Sequence, residues 1–167
     1  AVQRYLSFEI GKNNEEGVNR IFNVSLLAHM GIALFVFVVM EFLGVWYLNS
    51  HMNIPVDRLG AANWVLQCTI ITTIFSIVQV PYNAIIISKE HMGIYAYISI
   101  LEVSLKLFVV YLLSIGEFDK LELYSVLVMV VTIGIMMIYR FYCGKKYKEV
   151  RFRIVRDWGL LKQIVGF

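Results

Sequence analysis

From Leu59 to Ser88 the chain carries no Asp, Glu, Lys or Arg, and a single cation stands at each edge of the run, Arg58 and Lys89. As a helix rising about 1.5 Å per residue, that stretch reaches about 45 Å and exceeds the roughly 30 Å hydrocarbon core of a bilayer. A soluble domain would have to bury such a segment on every side. A chain of 167 residues has little interior to spare, because burial is limited by surface-to-volume scaling. The rest of the composition repeats the problem. Hydrophobic residues make up 59% and charged ones 16%, against roughly 45–50% and 25% in ordinary globular chains. Mean hydropathy is +0.71. The excess apolar surface must face lipid, which excludes a soluble enzyme, a disordered chain and a disulfide scaffold. Cys68 and Cys143 fall in unrelated segments with no metal or redox spacing.

Four segments are long and apolar enough to span. They cover about 24–48 (interrupted by Glu41), 62–88, 93–113 (containing Glu102 and Lys106) and 121–139. None alternates as the strands of a membrane barrel do, so the expected fold is all-α: a polytopic bundle of four transmembrane helices. Trp46, Tyr47, Trp64, Tyr82, Tyr95, Tyr97, Tyr111, Tyr124 and Tyr139 fall near the span ends, where an interfacial aromatic belt belongs. Residues 1–23 read as a cytoplasmic segment. The start at Ala1 and the stop at Phe167, straight after an apolar stretch, are expected of an internal piece of a longer polypeptide.

Basic residues set the orientation. The N-terminal segment, the turn near Lys89 and the C-terminal segment hold twelve Lys and Arg, whereas the two other loops hold only Arg58 and Lys120. The positive-inside rule then places both ends in the cytoplasm. Beyond the fourth span, over 140–167, Ile154, Trp158, Leu161 and Val165 recur at helical spacing with Arg153, Arg156 and Lys162 between them. This predicts a cationic amphipathic helix, lying in the interface or packed as a connector. The span next to it explains the basic residues without a nucleic-acid partner.

Glu102 and Lys106 are the most informative pair. At 100° per residue, Tyr95, Ser99, Glu102 and Lys106 fall within an arc of about 60° on an otherwise greasy helix. Two charges at mid-membrane cost about 5–7 kcal/mol, and the apolar residues of the span return about 4–7. A sum near zero means this helix does not face lipid all round; its stripe points into a bundle or a wet cavity. Two roles fit the pair. The charges neutralise each other at i, i+4 spacing, or they line a path for a polar solute or exchange protons.

Other polar groups invite the same weighing. Glu41 is a proton or substrate group, or reaches the outer interface through local water. His29 reads as a satisfied interfacial histidine. Gln67, Gln79 and Asn83 suit interhelical hydrogen bonds. Pro81 removes a backbone donor and predicts a helix break, either a functional one as in transport sites or a simple terminus at the cytoplasmic face. No phosphate loop, Gly-x-Ser-x-Gly, HExxH or paired aspartates beside a span occurs, and no histidine or carboxylate set has metal-ligand spacing. The loop of His51, Asp57 and Arg58 is the one weak enzymatic candidate.

The stretches NIPVDRLGAANWVLQ, VPYNAIIISKEHM and YAYISILEVSLKLFVVYLL, with QRYLSFEIGK and RDWGLLKQIVGF, give the chain a wider likeness. It resembles polysaccharide flippases of the multidrug/oligosaccharidyl-lipid/polysaccharide superfamily, most of all the O-antigen and lipopolysaccharide-biosynthesis translocases. The resemblance implies a bacterial inner-membrane carrier of about twelve to fourteen helices in two pseudo-symmetric six-helix halves, the repeat architecture many transporters share. The four spans correspond to the third to sixth helices of the first half, and the missing second half completes the site. It also implies no enzymatic activity and no bound cofactor. The substrate is a lipid-linked oligosaccharide, moved by alternating access with H⁺ or Na⁺ coupling. Lys106 and Arg4 become anion contacts; Glu102 and Glu41 become coupling groups; Ser99, Gln79 and Asn83 line the path. A drug/cation antiporter of the same superfamily and a non-transporting scaffold of envelope polysaccharide synthesis are the competing readings.

Overall fold

The computed structural model describes residues 2–115, 119–147 and 150, and all secondary structure among them is helical. A short helix, α1 (Val2–Gly11), precedes α2 (Glu15–Val39). A π-helical turn at Met40–Gly44 carries the same rod into α3 (Val45–Ser50). A 3₁₀ turn at Val56–Arg58 leads into α4 (Leu59–Ser88), followed by α5 (Met92–Ile115) and α6 (Lys120–Lys146). Among the described residues four rods are long and apolar enough to cross a membrane: Glu15–Ser50, Val56–Ser88, Met92–Ser114 and Lys120–Lys146. The chain is an all-α, multi-pass membrane bundle.

The helices outrun the apolar windows at their polar ends. The first begins at Glu15, well before the expected 24, because Asn14 caps it: its Oδ1 accepts from the Gly17 amide at 3.0 Å, with Glu15 and Glu16 in the first turn. Asn13 ahead of it takes φ 53°, a left-handed turn that asparagine tolerates. Gly17 leaves room for these caps, since a Cβ would stand 2.4 Å from the Glu9 carboxylate and 2.7 Å from the Asn14 amide and would push those side chains aside. The last helix runs to Lys146, past the expected 139. Lys145 and Lys146 suit a C-terminal turn whose carbonyls attract cations. The amphipathic helix expected over 140–167 lies, beyond Val150, outside the described residues.

Pro81 corrects the sequence reading. It neither breaks nor ends the helix: α4 continues to Ser88 with Pro81 fully buried in it. Proline deletes one amide donor, and in a low-dielectric setting the remaining backbone bonds favour continuing the helix over exposing them. The chain actually turns at Glu90, whose φ of 58° closes the C-terminus while the His91 amide bonds back to the Ile86 carbonyl at 3.2 Å.

Packing is graded along the bundle. Helix α4 is central, flanked by α2 and by α6, and its contact with α6 is the most extensive of all. The two run parallel. Arg58 before α4 is bonded to Asp119 before α6 at one end, and the Cys143 thiol approaches the Tyr82 carbonyl at the other. Helix α5 returns between them in sequence and packs on α6 more than on α4. The core lies at the end where α4 and α6 finish: Leu6, Phe22, Tyr82, Ile85, Ile135, Tyr139 and Cys143 are buried together. Helix α1 closes that end, with the Ser88 hydroxyl donating to the Gln3 carbonyl at 3.2 Å. Arg4, Lys12, Lys89, Lys145 and Lys146 gather there, so it is the basic end. Toward the opposite end Phe42, Leu43, Trp46, Tyr47 and Trp64 stay exposed. Tyr82 and Tyr139, expected in the aromatic belt, belong to the core instead. The Tyr82 ring meets Phe22 edge-on with centroids 5.3 Å apart, and Tyr139 is 1% exposed.

Candidate functional site

The polar stripe of α5 forms as its spacing requires. Lys106 Nζ donates to Glu102 Oε1 at 2.6 Å, one turn apart. Their side chains keep 44% and 26% exposure, so the pair is neither sealed in the core nor free on the surface. Ser99, one turn earlier, lies beside the Tyr139 hydroxyl of α6, with Tyr95 and Glu102 in electrostatic range of the same ring. The stripe therefore edges the seam between α5 and α6. Tyr97, Ile100, Val103, Leu107 and Phe108 cover the outer face. A close ion pair at half burial keeps two opposite charges within reach of a polar solute at the seam.

Glu41 occupies the π-helical turn. Its carboxylate accepts from Gln67 Nε2 of α4 at 3.1 Å. The carboxylate is half-buried, and this amide is its bond to the neighbouring rod. The rods come close here, since a Cβ on Gly44 would touch Leu66 at 3.6 Å. Farther out, Asn49 and Asn63 exchange reciprocal amide bonds at 3.1 Å.

The remaining candidates are scattered. Arg4 is exposed on α1 at the basic end. Gln79 and Asn83 are half-buried on α4, and Asn83 Oδ1 is buried with no hydrogen-bond donor among the described residues. The structure thus pairs Glu102 with Lys106 and Glu41 with Gln67 on separate helix contacts, and gathers neither Arg4 nor Asn83 to them. The loop candidate for an enzyme dissolves. His51 packs against the rings of Trp46 and Tyr47, at 4.6 and 5.7 Å between centroids, and Arg58 is taken by Asp119. No metal-holding group of His, Cys, Asp and Glu occurs among the described residues.

Sequence reasoning passed over a polar ladder at the start of α2. Asn23 and Ser25 are fully buried; Asn23 donates to the Asn19 carbonyl at 2.9 Å, and His29 Nδ1 bonds the Ser25 carbonyl at 2.8 Å. The signal was present as i, i+4 polar pairs inside an apolar window. A carbonyl partner requires the proton on Nδ1.

Comparison with known proteins adds one match. The MatE family model fits residues 1–112. No curated protein and no solved structure matches the chain. With four membrane-long helices and a match over most of the sequence, the chain belongs to the MatE family of membrane transporters, within the multidrug/oligosaccharidyl-lipid/polysaccharide superfamily.

Proposed function

We propose that the chain is part of a carrier that flips a lipid-linked oligosaccharide across the bacterial inner membrane for surface polysaccharide synthesis, with both described ends in the cytoplasm. The Glu102–Lys106 stripe carries this reading. An amphiphile with a long sugar head needs a tall groove, wet on one side and greasy on the other, and α5 offers that division. Lys106 would meet the anionic pyrophosphate while Glu102 takes the proton or sodium that resets the carrier. Glu41, held by Gln67, is a second coupling group. Arg4, exposed at the basic end, would receive the anion on arrival. The cytoplasmic placement rests on the basic residues gathered at that end.

The family match favours a second reading equally well, a drug/cation antiporter in which Glu102 and Glu41 bind the cation directly. One experiment separates them. Glu102→Gln, Lys106→Gln and the double variant are expressed in the full-length protein, in a host whose surface polysaccharide depends on it. Each single variant should lower export more than the double one, because a lone charge left in the seam is costlier than none. Normal export in all three at equal protein levels overturns the proposal. Lost tolerance to cationic dyes with intact polysaccharide would establish the antiporter.

A further inference from the structure

Because α2 and α6 both lie against α4, a cleft of about 480 Å³ opens over α4 toward the basic end. That falls within the roughly 300–1,000 Å³ of small-molecule sites. Its walls are mostly apolar, with Leu26 and Met30 on α2, Val78 on α4, Met136 on α6 and Val150 beyond it; the Tyr82 ring also lines it, within electrostatic range of Arg140, and Gly144 leaves room at the mouth. Arg140 is the cation in that lining. It is exposed and makes no hydrogen bond or ion pair among the described residues.

Depth decides what this arginine can meet. Arg140 lies twenty positions beyond Lys120 on the same helix, or about 30 Å along its axis, which matches the thickness of a hydrocarbon layer. With Lys120 at one membrane boundary, the guanidinium falls at the other, and the cleft below it falls within the acyl layer. A guanidinium presents a planar fork of donors matched to phosphate oxygens. Lys145 and Lys146, a turn farther on, add positive charge at headgroup level. None of the cleft's lining residues is on α5, so this feature is distinct from the Glu102–Lys106 seam.

We propose that the cleft binds one anionic phospholipid of the surrounding bilayer, its phosphate on Arg140 and an acyl chain laid between Met30 and Met136 over Val78. The mostly apolar walls call for a chain, and a rim cation with no counter-ion among the described residues calls for an anion. A free phosphate would satisfy only the second.

The test is lipid retention by the purified full-length protein, which is independent of what the carrier transports. The protein is released from nanodiscs of phosphatidylcholine mixed with phosphatidylglycerol and weighed by native mass spectrometry. Wild type should keep one phosphatidylglycerol. Arg140→Gln should lower its occupancy about fivefold, roughly the contribution of one basic side chain at an anionic membrane surface, and Arg140→Lys should restore much of it. Met30→Trp replaces a side chain that is 46% exposed, so folding is spared while the chain's path is filled; it should also lose the lipid. Equal retention in wild type, Arg140→Gln and Met30→Trp overturns the proposal. So does displacement of the lipid by millimolar inorganic phosphate, or crosslinking of Met30→Cys in native membranes to another helix of the same polypeptide.

Discussion

The Arg58 guanidinium donates to the Asp119 carboxylate across 61 positions of sequence, tying the start of α4 to the start of α6. Asp119 is also the N-cap of α6, accepting from the Leu121 amide at 3.1 Å. The two halves of this contact are therefore unequal. Arg58→Ala removes an exposed ion pair, worth about 0–1 kcal/mol. Asp119→Ala removes the cap as well and should cost about 1 kcal/mol more. Thermal unfolding of both variants and of the double variant in one detergent measures the difference. Equal losses would show that the cap contributes nothing.

Glu41 and Gln67 should respond to substitution asymmetrically. Glu41→Gln keeps an acceptor oxygen facing the Gln67 amide and leaves stability nearly unchanged. Gln67→Leu leaves the carboxyl without its amide donor where the π-helical turn meets α4 and should cost about 1 kcal/mol, the usual size of an interhelical bond in a membrane. Unfolding midpoints in bicelles give the comparison, and a larger loss for Glu41→Gln would contradict the bond.

Glu90 holds a left-handed backbone that glycine adopts without steric cost. Its side chain is exposed. Glu90→Gly should therefore be neutral or stabilise by up to about 1 kcal/mol, whereas Glu90→Val, branched at Cβ, should destabilise by about 1 kcal/mol or more. Unfolding midpoints of the two variants check the sign.

Labelling reads the threading directly. An impermeant maleimide should reach Arg58→Cys from one face of the membrane and Lys89→Cys from the other. Cys68 and Cys143, 4% and 0% exposed, should stay unmodified in the folded protein. Arg58→Cys and Lys89→Cys labelling from one face would mean that α4 does not cross.

How much of this was legible in the sequence follows from what each feature depends on. The charge-free run between Arg58 and Lys89 places the end of α4 at Ser88 and its start within three positions, since a span is set by solvation and solvation is a property of composition. The start of α2 was missed by nine positions because Asn14, Glu15 and Glu16 work through hydrogen bonds to backbone, which a hydropathy window reads as a boundary. The Glu102–Lys106 bond was legible because both ends sit on one helix with fixed periodicity. The Glu41–Gln67 bond and the parallel pairing of α4 with α6 were not. They depend on how two rods rotate against each other, and four greasy cylinders with few polar marks leave that rotation underdetermined. Tyr82 and Tyr139 show the same limit: the pattern says where along a helix a tyrosine lies, not which side it presents.

The uneven packing has a mechanical consequence. A sideways force applied near Trp46 deforms the bundle against a few small buried side chains, Ala61 and Cys68 among them, and the polar ties Glu41–Gln67, Asn49–Asn63 and Arg58–Asp119. The same force near Phe22 must pry apart interlocked side chains from α1, α2, α4 and α6. The four rods behave like the tines of a fork clamped at its handle, two of them also tied at the tip by Arg58–Asp119, so thermal bending should grow from the end of Tyr139 toward that of Trp64, and α2 with α3 can swing farthest without the clamp loosening.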